Sequence, residues 1–188
     1  MFSIIAAIGK NKELGSQGDL VFHIKEDMKY FRDTTKGHKI VMGRKTWGSL
    51  PGKLPNRENI VISRHPVDNA DATITDLTEF IAQNKDTDEE IFIIGGGMVY
   101  ATFLDHAKNL YLTEIDAPAP AADTFFPDFD KSKYEKTIIK KNPSVIGLDP
   151  DIGKIPSCYK TNVQTEDPFK AVADAFIMLD EEATQENR

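Results

Sequence analysis

Asp27 is the residue whose type and position most clearly suggest chemistry. Ile24, Met28 and Phe31 are spaced at i, i+4 and i+7, which predicts one apolar face of a helix with Asp27 at its flank. A carboxylate there costs free energy unless a cation or a hydrogen-bond donor meets it. Two interpretations are open. In the first, which is preferred for the residue taken alone, the carboxylate reaches water or pairs with a nearby lysine. In the second, it binds a protonated heterocycle through two parallel N–H bonds.

Three further segments place glycines or polar residues directly after an apolar strand. Residues 40–47 (IVMGRKTW) predict a strand, a glycine turn and a helix start, where anions bind. Residues 60–65 (IVISRH) end a strand in a hydroxyl, a guanidinium and an imidazole, at the strand end where open α/β sheets bind ligands. Residues 93–100 (IIGGGMVY) let backbone approach a phosphate closely, although they lack the G-x-G-x-x-G fingerprint. Taken singly, each segment is also explained by an ordinary turn.

The elements that must position these residues alternate along the chain. Short runs rich in isoleucine and valine predict strands at residues 3–8, 39–42, 59–63, 90–94 and 110–115. Helical patterns cover residues 24–35, 76–84 and 97–104, and Asp76 and Glu79 form a capping pair at the start of the second. This alternation predicts a mainly parallel sheet that is covered on both faces.

Composition narrows the class of protein. The 188 residues, of which 40% are hydrophobic, suit one domain with its own core. A formal net charge of -7 argues against nucleic acid or an anionic membrane as the main partner. Cys158 is the single cysteine, so neither an internal disulfide nor a cysteine-rich metal site is expected, and no metal is assigned. Residues 4–8 lack a basic leader and no apolar stretch is long enough to span a membrane, so a cytoplasmic location is expected.

From residue 1 to about residue 127 the chain resembles dihydrofolate reductase almost without gaps. The resemblance implies an α/β fold with a central, mostly parallel, twisted sheet, an antiparallel C-terminal edge and helices on both faces. It also implies NADPH-dependent hydride transfer that reduces 7,8-dihydrofolate to 5,6,7,8-tetrahydrofolate, in support of one-carbon and thymidylate metabolism. A monomer that binds diaminopteridine-type antifolates is expected. The motifs that carry the resemblance are Ile5-Ala6-Ala7, Asp27 with Phe31, residues 41–47, 54–57, 59–63 and 93–100, Leu112-Thr113 and residues 123–127.

The resemblance implies a substrate site centred on Asp27. Asp27 would bind the amidine edge of the pterin, and the Thr113 hydroxyl would support that contact. Arg57 would pair with the carboxylate of the glutamate tail, which suits a guanidinium. The other implied residues offer backbone carbonyls to the ring or line the slot for the pterin and the benzoyl group, and these are Ile5, Phe31, Leu50, Leu54, Ile94 and Tyr100.

The resemblance also implies a site for NADPH. Arg44, Ser63 and Arg64, helped by His65, would hold its 2′-phosphate. Ala7 and Leu14 would border the nicotinamide, and a non-proline cis peptide is implied at Gly95–Gly96. The adenine side and the pyrophosphate would be held by Gly43, Lys45, Thr46, Gly95, Gly96, Gly97, Met98, Val99 and Tyr100.

Residues 9–23 are the expected lid of this site, with Asp123 hydrogen-bonded to the lid when it is closed. Since only one carboxylate is implied at the ring, the proton is expected to arrive through water while Asp27 sets the electrostatics. The chain departs from the family at the lid's end, where Phe22 replaces a tryptophan and Val21 and Lys25 replace prolines. These departures bear on lid motion and turnover rather than on the acid or the cofactor residues.

Two alternative functions remain open from the sequence. One is a reductase of the same fold that acts on a riboflavin precursor, against which Asp27 and Arg57 argue. The other is a folate- or nucleotide-binding protein without turnover, which Phe22 and Val21 would permit.

The C-terminal third is interpreted as part of the same domain, 1–188, with an apparent insertion at about residues 142–170. Residues 134–141 and 173–179 have strand-like patterns and are predicted to pair antiparallel at one edge of the sheet. The proline-bearing stretch between them is predicted to lie outside the core, with at most a short strand around residues 159–163. Replacing residues 143–168 by a short turn would then leave activity nearly unchanged.

Overall fold

The computed structural model describes residues 1–142 and 158–164. Within that part of the chain, no helix combines the length and apolar character needed to cross a bilayer. The strands are β1 (Phe2–Ile8), β2 (Glu13–Ser16), β3 (Asp19–Leu20), β4 (Lys39–Gly43), β5 (Glu58–Ile62), β6 (Ala72–Ile74), β7 (Ile91–Gly95), β8 (Ala107–Ile115), β9 (Thr124–Phe125), β10 (Glu135–Asn142) and β11 (Cys158–Gln164). The helices are α1 (Lys25–Thr35), α2 (Arg44–Ser49), α3 (Leu77–Asn84) and α4 (Gly97–Phe103), with short 3₁₀ turns at Leu104–His106 and Lys131–Lys133.

The main sheet has eight strands in the order β10-β11-β8-β1-β7-β4-β5-β6. In this order, the six strands from β8 to β6 pair with their neighbours in parallel. Strands β11 and β10 then add an antiparallel edge. The predicted fold class, a mostly parallel sheet with an antiparallel C-terminal edge, is confirmed.

Both faces of the parallel strands are buried, which explains their continuous apolar runs. On one face, Phe2, Ile4 and Phe103 belong to a core cluster against which α3 packs. On the other face, Phe92 and Met42 form a second cluster with residues of α1 and α2. Each fully buried side chain of this size stabilises the fold by about 1.5–3 kcal/mol.

Helix α1 faces the second cluster with a different set of residues from the predicted one. Met28, expected on its apolar face, is 46% exposed. The side turned towards the sheet carries Asp27, Phe31 and Thr35, spaced four residues apart, and Thr35 is fully buried. The prediction for Met28 was wrong because the helix turns Asp27, Phe31 and Thr35, rather than Met28, towards the sheet.

The C-terminal region differs from its predicted arrangement. Strand β10 pairs antiparallel with β11, and β11 pairs on its other side with β8. The strand suggested at residues 159–163 is therefore confirmed, but its expected position outside the core was wrong because β11 lies inside the main sheet. The other predicted partner, residues 173–179, lies outside the described residues, as do residues 143–157.

Candidate functional site

Strands β1 and β7 stop pairing before either strand ends, and a point of this kind is where an open α/β sheet forms its ligand crevice. Their register ends at the pair Ile4 and Ile93, whereas β1 continues to pair with β8 as far as Ile8. Among the pairings of the described strands none includes Ile94, which lies at a register shift between β4 and β7. Ile94 therefore lies at an irregularity of the ladder, at the point where the resemblance implies a carbonyl that faces the substrate ring.

Asp27 lies at this crevice, held by a hydroxyl from the sheet. Its position in the first turn of α1 suits a carboxylate, because the helix dipole favours negative charge there. The Thr113 hydroxyl, on β8 and buried, donates a 2.5 Å hydrogen bond to the Asp27 Oδ1 atom. Asp27 itself is half-buried. A charge-assisted bond of this length fixes the carboxylate while leaving part of it accessible.

Tyr100 closes the floor of the same crevice. Its hydroxyl donates a 2.9 Å hydrogen bond to the Ile5 carbonyl oxygen. Burial, and after it the negative charge of Asp27, raises the pKa of Tyr100, so the phenol remains a protonated donor. Two of the residues predicted at the substrate ring are therefore in direct contact with each other.

Arg57 is bound to the far end of α1, at Thr35, which lies about two helical turns from Asp27. One guanidinium nitrogen of Arg57 donates to the Thr35 hydroxyl at 3.2 Å, and Nε donates to the Pro55 carbonyl at 3.1 Å. The guanidinium also lies 5.8 Å from the centroid of the Phe31 ring. Burial, and then the charge of Arg32, lowers the pKa of Arg57, although a guanidinium stays charged at neutral pH. A fixed cation at this end suits a carboxylate ligand.

Three strand ends form the second part of the site, and two of them, those of β4 and β7, carry glycine. Strand β4 lies between β7 and β5, so the segments that follow these three strands meet at one edge of the sheet. A Cβ added to Gly43 would meet the Val99 Cγ2 atom at 3.1 Å, and one on Gly97 would meet the Phe125 carbonyl oxygen at 3.1 Å. Gly43 therefore allows the end of β4 to pack against α4, and Gly97 allows the start of α4 to pack against β9. The expected cis peptide is present at Gly95–Gly96.

Cationic and hydroxyl side chains surround this glycine-lined edge. Arg44 and Lys45 are exposed at the start of α2, and Arg64 is exposed just after β5. The Ser63 hydroxyl accepts a hydrogen bond from the His65 N–H at 3.3 Å. Clustered exposed cations beside close-packed glycines form a donor set that fits a phosphate-bearing dinucleotide.

The predicted lid is a hairpin fastened to a neighbouring loop. Strands β2 and β3 are joined by Gln17 and Gly18, which both have positive φ, and β9 pairs with β2. The Gln17 N–H donates to the Asp123 carboxylate at 2.8 Å, and the Asp123 N–H donates to the Gly15 carbonyl at 3.0 Å. The Gln17 N–H, and then the Thr124 hydroxyl, lowers the pKa of Asp123. The contact is present at neutral pH and is lost only as the pH falls through that lowered pKa.

The remaining predicted residues lie around these two parts. Ala7 pairs with Thr113 across β1 and β8, beside Asp27. Leu14, on strand β2 of the lid itself, is 8% exposed and packs into the first core cluster, and Met98 is 87% exposed at the start of α4. Leu50 and Leu54 pack at the margin of the second core cluster, and Thr46 lies against the glycine peptide, 3.4 Å from a Cβ placed on Gly96.

Sequence reasoning missed two residues that the structure brings to the site. Thr35 binds the Arg57 guanidinium, and Asn59 binds the backbone of the loop that carries Arg57. The available signal was a polar residue, Asn59, directly before the apolar run Ile60-Val61-Ile62 of the same strand. Across residues 1–142 and 158–164, no group of three or more His, Cys, Asp or Glu side chains is arranged to hold a metal ion.

Comparisons with a family model and with known proteins all point to one family. A sequence model of the dihydrofolate reductase family matches residues 1–144. The dihydrofolate reductase HdrB of Haloferax volcanii is 35% identical over 147 residues, which span 72% of this chain and 75% of that protein. The dihydrofolate reductase of Buchnera aphidicola (subspecies Acyrthosiphon pisum) is 36% identical over 149 residues, which span 79% of this chain and 92% of the relative.

A solved structure extends the likeness to three dimensions. Dihydrofolate reductase from Enterococcus faecalis, complexed with NADP(H) and RAB-propyl, superposes with a TM-score of 0.72 at 27% sequence identity. The superposition covers 89% of this chain and 97% of the other. The similarity therefore extends over nearly the whole of that enzyme.

Proposed function

The chain belongs to the dihydrofolate reductase family and catalyses the NADPH-dependent reduction of 7,8-dihydrofolate to 5,6,7,8-tetrahydrofolate, and we propose that Asp27 binds the substrate's pterin ring. The observation that carries this proposal is the 2.5 Å hydrogen bond from the Thr113 hydroxyl to the half-buried Asp27 carboxylate. With the family established, the two alternatives, a riboflavin-precursor reductase and a binding protein without turnover, are set aside. We expect the protein to act as a monomeric single domain in the cytoplasm.

The Asp27 carboxylate would accept two parallel N–H bonds from the amidine edge of the pterin. The Thr113 hydroxyl orients that carboxylate, and the carbonyls of Ile5 and Ile94 border the crevice in which the ring would lie. The negative charge of Asp27 favours protonation of the ring, while the proton itself reaches the imine nitrogen through water. Leu50 and Leu54 would hold the benzoyl group, and Arg57 the tail carboxylate.

The glycine-lined edge would hold NADPH, which supplies the hydride when it is bound. Arg44, Arg64 and the Ser63 hydroxyl would hold its 2′-phosphate. Lys45 and the backbone of the close-packed glycines would hold the pyrophosphate. The hairpin fastened by Asp123 would exclude water from the crevice and keep the reacting rings aligned.

Binding of a diaminopteridine antifolate tests the role of Asp27 without turnover. Such a ring is more basic than the substrate, so the Asp27 carboxylate should favour its protonated form in a partly dry crevice. Calorimetry in buffers of different ionisation enthalpy should show proton uptake at a pH above the pKa of the free antifolate. Binding without proton uptake would contradict the assignment of Asp27.

Cofactor preference tests the role of Arg64. Arg64→Ala should weaken NADPH binding by about 1.5–3 kcal/mol, the usual contribution of a hydrogen bond to a charged group. NADH lacks the 2′-phosphate and should bind the variant and the parent alike. Fluorescence titration with both cofactors measures the difference, and equal losses would show that Arg64 does not bind the 2′-phosphate.

A further inference from the structure

The loop that carries Leu54 and Arg57 is fastened to strand β5 by one buried amide. Asn59 is fully buried, and its side-chain oxygen accepts the Leu54 N–H at 3.0 Å. Its side-chain nitrogen donates to the Leu54 carbonyl and to the Arg57 carbonyl, both at 2.9 Å. A buried amide left without partners is costly, so these three bonds hold the loop in one position.

Asp71 holds Asn59 from the opposite side. Its Oδ2 atom accepts the Asn59 backbone N–H at 2.7 Å, and its own N–H donates to the Asn59 carbonyl at 2.9 Å. The other carboxylate oxygen accepts a hydrogen bond from Lys53 Nζ at 2.5 Å, and Lys53 directly precedes Leu54. Asp71 therefore joins the strand and the loop at once. These bonds, from Lys53 first and then from Asn59, lower the pKa of Asp71, which stays ionised at neutral pH.

Position matters more for Arg57 than for an ordinary surface cation. A guanidinium binds a carboxylate through two parallel bonds in a fixed planar geometry, so a displaced backbone loses affinity steeply. Arg57 is held at its side chain by Thr35 and at its backbone by Asn59. Leu54, at the other end of the loop, packs at the margin of the second core cluster together with Phe31.

We infer that Asn59 and Asp71 are positioning residues that set the affinity of the enzyme for the glutamate-bearing part of its substrate. Neither residue is assigned a contact with substrate or cofactor. They act by fixing the positions of Leu54 and Arg57. The inference therefore rests on the roles proposed above for Leu54 and Arg57. The arrangement predicts a selective effect, because the pterin contact through Asp27 lies at the other end of the crevice.

Asp71→Ala removes the carboxylate and should raise KM for dihydrofolate by about 5- to 30-fold, the ratio that corresponds to one or two kcal/mol. The variant should leave kcat near that of the parent. With 6-methyl-7,8-dihydropterin, which has neither benzoyl group nor glutamate, KM should not change. Asp71→Asn keeps an oxygen that can accept the Asn59 N–H and should recover part of the loss. Asp68 is an exposed acid on the loop between β5 and β6 that also carries Asp71, and Asp68→Ala is the matched control.

A uniform effect would overturn the inference. If Asp71→Ala raises KM for both substrates and for NADPH equally, Asp71 only stabilises the fold. If the alanine variant fails to fold, Lys53→Met removes the ion pair at the partly exposed end of the network and should raise KM for dihydrofolate alone. A Lys53→Met variant with an unchanged KM in that case would count against the inference.

Arg57→Leu separates this inference from the function on which it rests. If Arg57→Leu raises KM for dihydrofolate but not for the dihydropterin, Arg57 binds the tail as proposed. Given that result, an Asp71→Ala variant that changes KM for both substrates alike would contradict the positioning role of Asp71 and would leave the role of Arg57 intact. If Arg57→Leu affects both substrates alike, the role proposed for Arg57 fails, and the inference fails with it.

Discussion

Replacing Asp27 with asparagine should slow dihydrofolate reduction at neutral pH by roughly 10²–10⁴-fold, the usual contribution of a positioned acid or base. Asparagine keeps the shape of the side chain and can still accept the Thr113 hydroxyl, but it removes the charge that favours a protonated ring. The deficit should shrink as the pH falls, because the substrate then protonates in solution. Steady-state rates from acid to neutral pH measure both effects.

A second acid on the same helix is a matched control for Asp27. Asp33 is exposed and forms an ion pair with Lys29 one turn away. Asp33→Asn should leave the pH profile unchanged, since exposed pairs of this kind contribute little. An Asp27→Asn variant with parental turnover at neutral pH would refute the role of Asp27.

Proline at Thr161 should destabilise the protein severely. Thr161 lies in β11 and pairs with Leu112 on one side and Ile138 on the other. Proline removes the backbone donor, and the interior of a sheet does not tolerate it. In a helix interior this change costs about 3 kcal/mol or more, and we expect a loss of the same order here. Urea unfolding followed by the fluorescence of Trp47, the one tryptophan, gives the free energy of unfolding.

Ile139→Pro is the corresponding control on the neighbouring strand. Ile139 lies in the edge strand β10, at a register shift between the pairs formed by Ile138 and Lys140, and it is 48% exposed. Proline is tolerated at bulges and on edge strands. The Ile139→Pro variant should therefore unfold near the parental urea midpoint. Equal midpoints for the two proline variants would contradict the position of β11 inside the sheet.

The centre of the site was predictable because local pattern and sheet rules agree there. The glycine turn at Gly43 and the polar residues after β5 follow directly on apolar strands. In a parallel sheet such segments collect at one edge whatever the detailed packing. Asp27 was recognisable because a carboxylate at an apolar helix face requires an explanation. The local pattern around Asp27 could not show that Thr113, 86 residues away, would be its partner, and only the family resemblance pointed to it.

Long-range pairing explains what sequence reasoning did not reach. Strand β11 is suggested as a short strand by its own residues, but the proline-rich stretch before it favours a position of the whole segment outside the core. Its membership of the sheet depends on β8 and β10, and a local pattern carries no information about such partners. The hydrogen bonds of Asn59 and Asp71 could not be predicted from the sequence for the same reason, because they depend on two loops that meet at the start of β5.

The position of β11 in the sheet means that β8 is synthesised well before the strand that covers its edge. Strand β8 is complete once Ile115 is made, but the strand that covers its free edge ends only at Gln164. At about 5–20 residues per second, that edge stays bare for several seconds in each round of synthesis. An uncovered strand edge is a template for pairing with other chains. Strand β10 emerges during this interval, yet its place is one strand further out. Slow translation of the codons between Ile115 and Gln164 would therefore prolong exposure of the nascent chain to aggregation and would increase its dependence on chaperones.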